Sequence, residues 1–146
     1  MRVGGNVDVE ALASDLGGGN AVAGAGVFIA ASGGEGGPAS IAIGSLTDKA
    51  TANNWGAGQA NALAEARLDP ALVEIGGPVR VTANAHDFGA AGAGNVGASA
   101  NAAFFAGAST VRILGDMTVA AHATNAGAGQ VKSKGGWISG PPPSST

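Results

Sequence analysis

Few side chains in this sequence are equipped for chemistry, and their spacing limits what they can do. The two histidines, His86 and His122, would make a zinc ligand set on paper with Asp87 or Asp116. Counted in the 38-residue step that separates two copies of a repeated motif, His122 aligns with Asn84 and His86 with Thr124. That alignment puts them in neighbouring exposed columns instead of one ligand cluster. Gly92-Ala-Gly94-Asn-Val-Gly97 has the dinucleotide-binding glycine spacing, with Asp116 about 20 residues downstream, but that chemistry needs a helix N-terminus to hold the pyrophosphate. The residues that follow, Ala98 to Ala102, alternate like a strand. No Gly-Lys-Ser/Thr run marks a P-loop, and no pattern singles out a serine as the nucleophile of a Ser-His-Asp set. Asp15 and Asp87 recur as Asn54 and Asn125 in the other copies, as residues that shape turns do and as a catalytic carboxylate pair does not. Calcium held by stacked Asp/Asn turns is the one cofactor the pattern admits, against a column that is half neutral.

The residues that recur define the elements. Four turns begin at Asp15, Asn54, Asp87 and Asn125 and carry glycine two positions on, at Gly17, Gly56, Gly89 and Gly127. The steps are 39, 33 and 38 residues, which is a tandem repeat of one structural unit. An Asp or Asn side chain bonds the backbone N–H two residues on, and glycine there can take a positive φ without steric cost. Ahead of each turn runs a period-two segment: Val7 to Ala13, Lys49 to Asn53, Val79 to Ala85 and Met117 to Ala123. One face is Val, Ala and Met117; the other holds polar residues such as Asp8, Glu10, Thr51, Asn84 and His122. A second cue, a short β-branched strand ended by a glycine bend, recurs at Ile41 to Gly44, Val73 to Gly76 and Val111 to Gly115, with Arg2-Val3-Gly4 as a truncated copy. A third, rich in small residues, covers Val22 to Ala30, Ala60 to Leu68 and Val96 to Phe105. Gln59 to Arg67 is the best helical candidate, yet it occupies strand positions in the other copies.

Three strands per unit predict an all-β fold, a β-solenoid of about four tandem repeats of 33 to 39 residues, each stacked on the last. A finer register through Val9, Phe28, Thr47, Ala64, Val81, Ala100, Val119 and Ile138 would split each unit into two short coils. The alternative is an antiparallel β-sandwich, because a glycine loop closes a hairpin as readily as a corner. Leu16, Trp55, Phe88 and Ala126 share the second turn position; they either cap the core at the corner or form an outward apolar column that suits sugar rings or a neighbouring fibre.

With 27 glycines, few aromatics and 12 % charged residues, only small side chains are plentiful enough to fill the interior, so backbones must approach closely. A net charge of −3 offers no basic field for nucleic acid or anionic membranes, and no run of about 18 apolar residues is long enough for membrane insertion. Absence of cysteine excludes disulfides and thiol chemistry. Residues 1–140 read as one repeat domain and 141–146 as a Pro/Ser-rich extended tail. Met1 directly before repeat consensus reads as a cut within a longer array.

The Val-Xaa-Val-Xaa-Ala-Xaa-Ala strands, Ile-Gly bends and Gly/Ala-rich alternating stretches, from about Met1 to Gln130, resemble the repeats of large secreted bacterial adhesins of the filamentous-haemagglutinin-like and autotransporter types. The resemblance implies an extracellular right-handed parallel β-helix that acts as a stalk, fibre or adhesive surface. The expected role is therefore a non-enzymatic structural protein that self-assembles through its ends, with a glycan-binding adhesin module as the alternative. Trp55, Phe88, Trp137 and Ile138 are the expected surface or assembly contacts.

Overall fold

The computed structural model describes residues 5–30, 40–69, 72–89, 97–107, 110–127 and 129–139. Arg2-Val3-Gly4, the glycines at 92 and 94 and the 141–146 tail lie outside them. Eleven strands and no helix make up the described residues: β1 (Val7–Asp15), β2 (Ala21–Ile29), β3 (Ser40–Ile43), β4 (Leu46–Asn54), β5 (Gln59–Leu68), β6 (Leu72–Ile75), β7 (Val79–Asp87), β8 (Gly97–Ala106), β9 (Thr110–Ile113), β10 (Met117–Asn125) and β11 (Gln130–Ser139). The helical alternative for Gln59 to Arg67 is overturned, since that segment is β5 with strict inside-outside alternation.

The strands form three sheets: a first of β1-β4-β7-β10, a second of β2-β5-β8-β11 and a third of β3-β6-β9. Every strand pairing among the described residues is parallel. The antiparallel sandwich is thereby excluded, because the glycine turn joins β1 to β2 in a different sheet instead of folding them into a hairpin. The finer register fails as well: Val9 pairs with Asp48, and Phe28 pairs with Arg67. A strand therefore meets its partner after one whole repeat, and each repeat supplies one strand to each long sheet.

Inward residues of all three sheets form one core. Side-chain size follows position in the repeat. Next to the turns the interior is lined by Ala50, Ala52, Ala83, Ala85, Ala60, Ala62, Ala98 and Ala100, whereas Leu46, Val79, Leu68, Phe104, Ile43 and Ile75 fill the far side beside the third sheet. Only alanine fits where the two long sheets converge on a short turn; larger side chains are needed where they part, and each adds about 1.5–3 kcal/mol of burial. Strands β2, β5 and β8 each pack across the interior on two strands of the first sheet, their own repeat's and the next one's (β2 on β1 and β4, β5 on β4 and β7, β8 on β7 and β10). The last, β11, pairs with β8 and packs across the interior mainly on β10, with no comparable contact to a second first-sheet strand among the described residues, and its side chains from Val131 to Trp137 are exposed.

Candidate functional site

The turns line up along one edge. Asp15, Asn54, Asp87 and Asn125 are in register, and each side-chain Oδ1 accepts the N–H of the glycine two residues on, at 2.9, 3.1, 3.0 and 2.8 Å. Asn54 Nδ2 also donates to Asp87 Oδ1 at 3.4 Å across the strand gap. The order Asp, Asn, Asp, Asn alternates carboxylate with amide. Strands about 4.8 Å apart would otherwise bring like charges together, so the alternation removes a repulsion that four aspartates would create. The turn glycines at 17, 56 and 89 do not sit at positive φ, contrary to the expectation from turn chemistry. At two of them the reason is close approach: a Cβ on Gly56 would overlap the carbonyl of Gly17, and one on Gly89 the carbonyl of Gly56, whereas a Cβ on Gly17 would make only an ordinary contact with Asp15. Backbone hydrogen bonds carry the pairing into the corner, from Trp55 N to Asp15 O at 2.9 Å and from Phe88 N to Asn54 O at 2.7 Å.

Outside this corner the second turn position points to solvent. Leu16, Trp55 and Phe88 are 81, 46 and 48 % exposed, so they do not cap the core. Trp55 and Phe88 stack with centroids 5.2 Å apart, and the His86 ring lies 6.0 Å from Phe88. His86 is in register with Thr124, whose hydroxyl is 2.8 Å from Nδ1, and His122 is in register with Asn84. No group of three or more His, Cys, Asp or Glu placed to hold a metal occurs among the described residues. The ladder also separates the two corner carboxylates, with Asn54 between Asp15 and Asp87, and commits their Oδ1 atoms to glycine amides. Gly97 opens β8 and is followed by strand, so the glycine-rich motif leads into no helix.

On the outer faces, charges pair across neighbouring strands. Lys49 meets Glu10 at 2.8 Å and Arg112 meets Glu74 at 3.8 Å; exposed pairs of this kind contribute about 0–1 kcal/mol each. Arg67 bonds Asp69 at 2.7 Å while lying over the Phe28 ring at 5.9 Å.

One residue escaped the sequence reading. Asp48 points inward between Val9 and Val81 of the adjoining strands, has no exposed surface, and neither of its carboxyl oxygens has a hydrogen-bond partner. Burial pushes its carboxyl from 3.8 up to about 6; the Glu65 backbone, outside hydrogen-bond geometry, offsets part of the rise and the Glu65 charge adds to it. The signal lay in the sequence: extending the alternation of Lys49 to Asn53 back to Leu46 sets Asp48 on the inner face.

The two ends differ. Inner side chains of the first strand, Val7, Val9, Ala11 and Ala13, and of β10, Met117, Val119, Ala121 and Ala123, are only partly buried, whereas their counterparts Ala50, Ala52, Val81, Ala83 and Ala85 are buried completely. Trp137 sits in β11 opposite Phe104 and is 53 % exposed, and Ile138 follows it opposite Phe105. Residues 5–30 carry Asp8, Glu10 and Asp15 with no Lys or Arg; residues 117–139 carry Lys132 and Lys134 with no Asp or Glu. No helix among the described residues is long and apolar enough to cross a membrane. No protein family, curated protein or solved structure matches this chain.

Proposed function

We propose that this chain is a non-enzymatic structural protein, a β-solenoid with one coil per repeat that serves as a subunit or segment of a self-assembling extracellular fibre. The observation that carries the reading is the unbroken parallel register of successive repeats in the long sheets, ending in strands whose apolar inner faces are half-open. Parallel strand edges left unpaired attract further strands, and a head-to-tail contact of this type propagates without closing. Right-handed coiling is supported by the strand twist that favours right-handed crossovers between parallel neighbours. The extracellular placement rests on the resemblance to secreted adhesin repeats. Negative-stain images at rising protein concentration are expected to show unbranched filaments. A sample that light scattering finds monomeric at the highest concentration would sink the reading.

Half-exposed Trp55 and Phe88 favour a second reading, a glycan-binding adhesin module. A sugar ring stacks on an aromatic face, and these two rings already stack on each other, which ranks it behind the fibre. Glycan-array binding that disappears in Trp55→Ala with the fold intact would reverse that order.

A further inference from the structure

The opposite ends of the molecule are matched in more than shape. Within the chain each second-sheet strand packs on the first-sheet strand of its own repeat and on that of the next; β11 has the first contact and lacks the second. The missing piece is a strand of the β1 type followed by one of the β2 type. Continuing the internal register past the last repeat sets Met117 on Val7, Val119 on Val9, Ala121 on Ala11 and Ala123 on Ala13, all apolar and all now half-open. In the second sheet the same step sets Val131 on Ala21 and Trp137 on Val27.

The corner supplies a polar complement. Asn125 Nδ2 at one end is a shielded donor without a partner. Within the chain the equivalent Asn54 Nδ2 donates to Asp87 Oδ1, the atom that Asp15 presents at the other end. The internal order Asp15, Asn54, Asp87, Asn125 continues as Asp only if the next unit begins with Asp15. Joining two like ends with the inner faces aligned would instead run β1 antiparallel to β1, whereas every pairing in this sheet is parallel. Outward neighbours across the junction create no like-charge pair: Thr118 falls beside Asp8, Ala120 beside Glu10, Lys132 beside Val22 and Lys134 beside Gly24. The acidic first unit and basic last unit also attract at a distance, which steers encounter in the productive direction.

We propose that β10–β11 of one copy docks on β1–β2 of a second copy in the register the repeats keep internally, with Asn125 extending the corner ladder onto Asp15. This rests on the stacking reading above and specifies which strands, which register and which polar contact make the junction. The bond formed is a charge-assisted hydrogen bond from the Asn125 amide to the Asp15 carboxylate, which also accepts the Gly17 N–H.

The test uses the absence of cysteine from the native chain. Leu12 and His122 are exposed, and the proposed register makes them direct neighbours about 4.8 Å apart across the junction, inside the range a disulfide spans. Within one chain they are three strands apart, about 14 Å, and cannot bridge. Under mild oxidation the Leu12→Cys/His122→Cys variant is expected to give a reducible ladder of covalent oligomers, while Leu12→Cys/Thr118→Cys, displaced by four residues, gives several-fold less. Filaments in which the first pair fails to cross-link overturn the register and leave the fibre reading standing; failure of the native chain to assemble at all overturns both. Asn125→Asp retains the acceptor for the Gly127 amide and loses the donor. It is expected to weaken self-association about tenfold, with circular dichroism reporting the fold separately; unchanged association would overturn the corner contact.

Discussion

Asp48 stands in a column whose other members are Val9, Val81 and Val119, so its carboxyl replaces a methyl pair in an apolar row. A folded-state value of about 6 against 3.8 corresponds to about 3 kcal/mol of lost stability once the group ionises. The sign follows from the direction of the shift. Between the two values the folded chain binds more protons than the unfolded one, so stability is highest below 3.8, falls as pH rises to about 6 and stays low above it. Asp48→Val is expected to raise unfolding stability at pH 7 by about 3 kcal/mol, with a gain that shrinks toward pH 4. Urea denaturation of both proteins at the two pH values checks this; a gain independent of pH would show that the carboxyl is not desolvated as described.

At the scale of the element, the corner is held by turns stacked as closely as the strands they join. Two observations make the turn inflexible: the Trp55 amide hydrogen bond to the Asp15 carbonyl, and the absence of room for a Cβ between Gly56 and Gly17. Gly56→Ala therefore forces the two turns apart and is expected to cost about 2–3 kcal/mol. Gly24→Ala, outward on β2 with no heavy atom within 4 Å of its Cβ, should be neutral or stabilise by up to about 1 kcal/mol. Equal effects at the two positions in denaturant unfolding would contradict turn-on-turn stacking. Glycine at the corner was legible from the repeat, but its reason was not: local turn chemistry points to φ, whereas the structure assigns it to a neighbour 39 residues away in sequence.

For the whole molecule, the proposed stack of units predicts that stability is a sum over units and the contacts between them. Val79 pairs with Leu46 on one side and Met117 on the other, so excising residues 79–116 tests whether the proposed units are interchangeable. Deleting that segment brings Met117 onto Leu46 and Asn125 onto Asn54. The shortened protein is expected to keep a β-type circular dichroism spectrum and cooperative melting, at a lower Tm because one buried layer is gone. Loss of the β signal on excision would show that the repeats are not independent. Among the described residues β1 and β10 each have a first-sheet neighbour on one side only, which accounts for their incompletely buried inner faces.

What could be read from residue order alone were the features encoded locally. Period-two alternation located most strands to within a few residues, and the Asx-Xaa-Gly spacing located the corners, because both depend on side chains a few positions apart. Which strand lies beside which was decided only in three dimensions. A glycine turn is compatible with a hairpin or a corner, and only the path of the chain through all three sheets settles that β1 pairs with β4 and not with β2. The outward aim of Trp55 and Phe88 and the interior place of Asp48 depend on that choice, since a side chain's environment is set by the strand above and the sheet opposite, neither of which is near it in sequence.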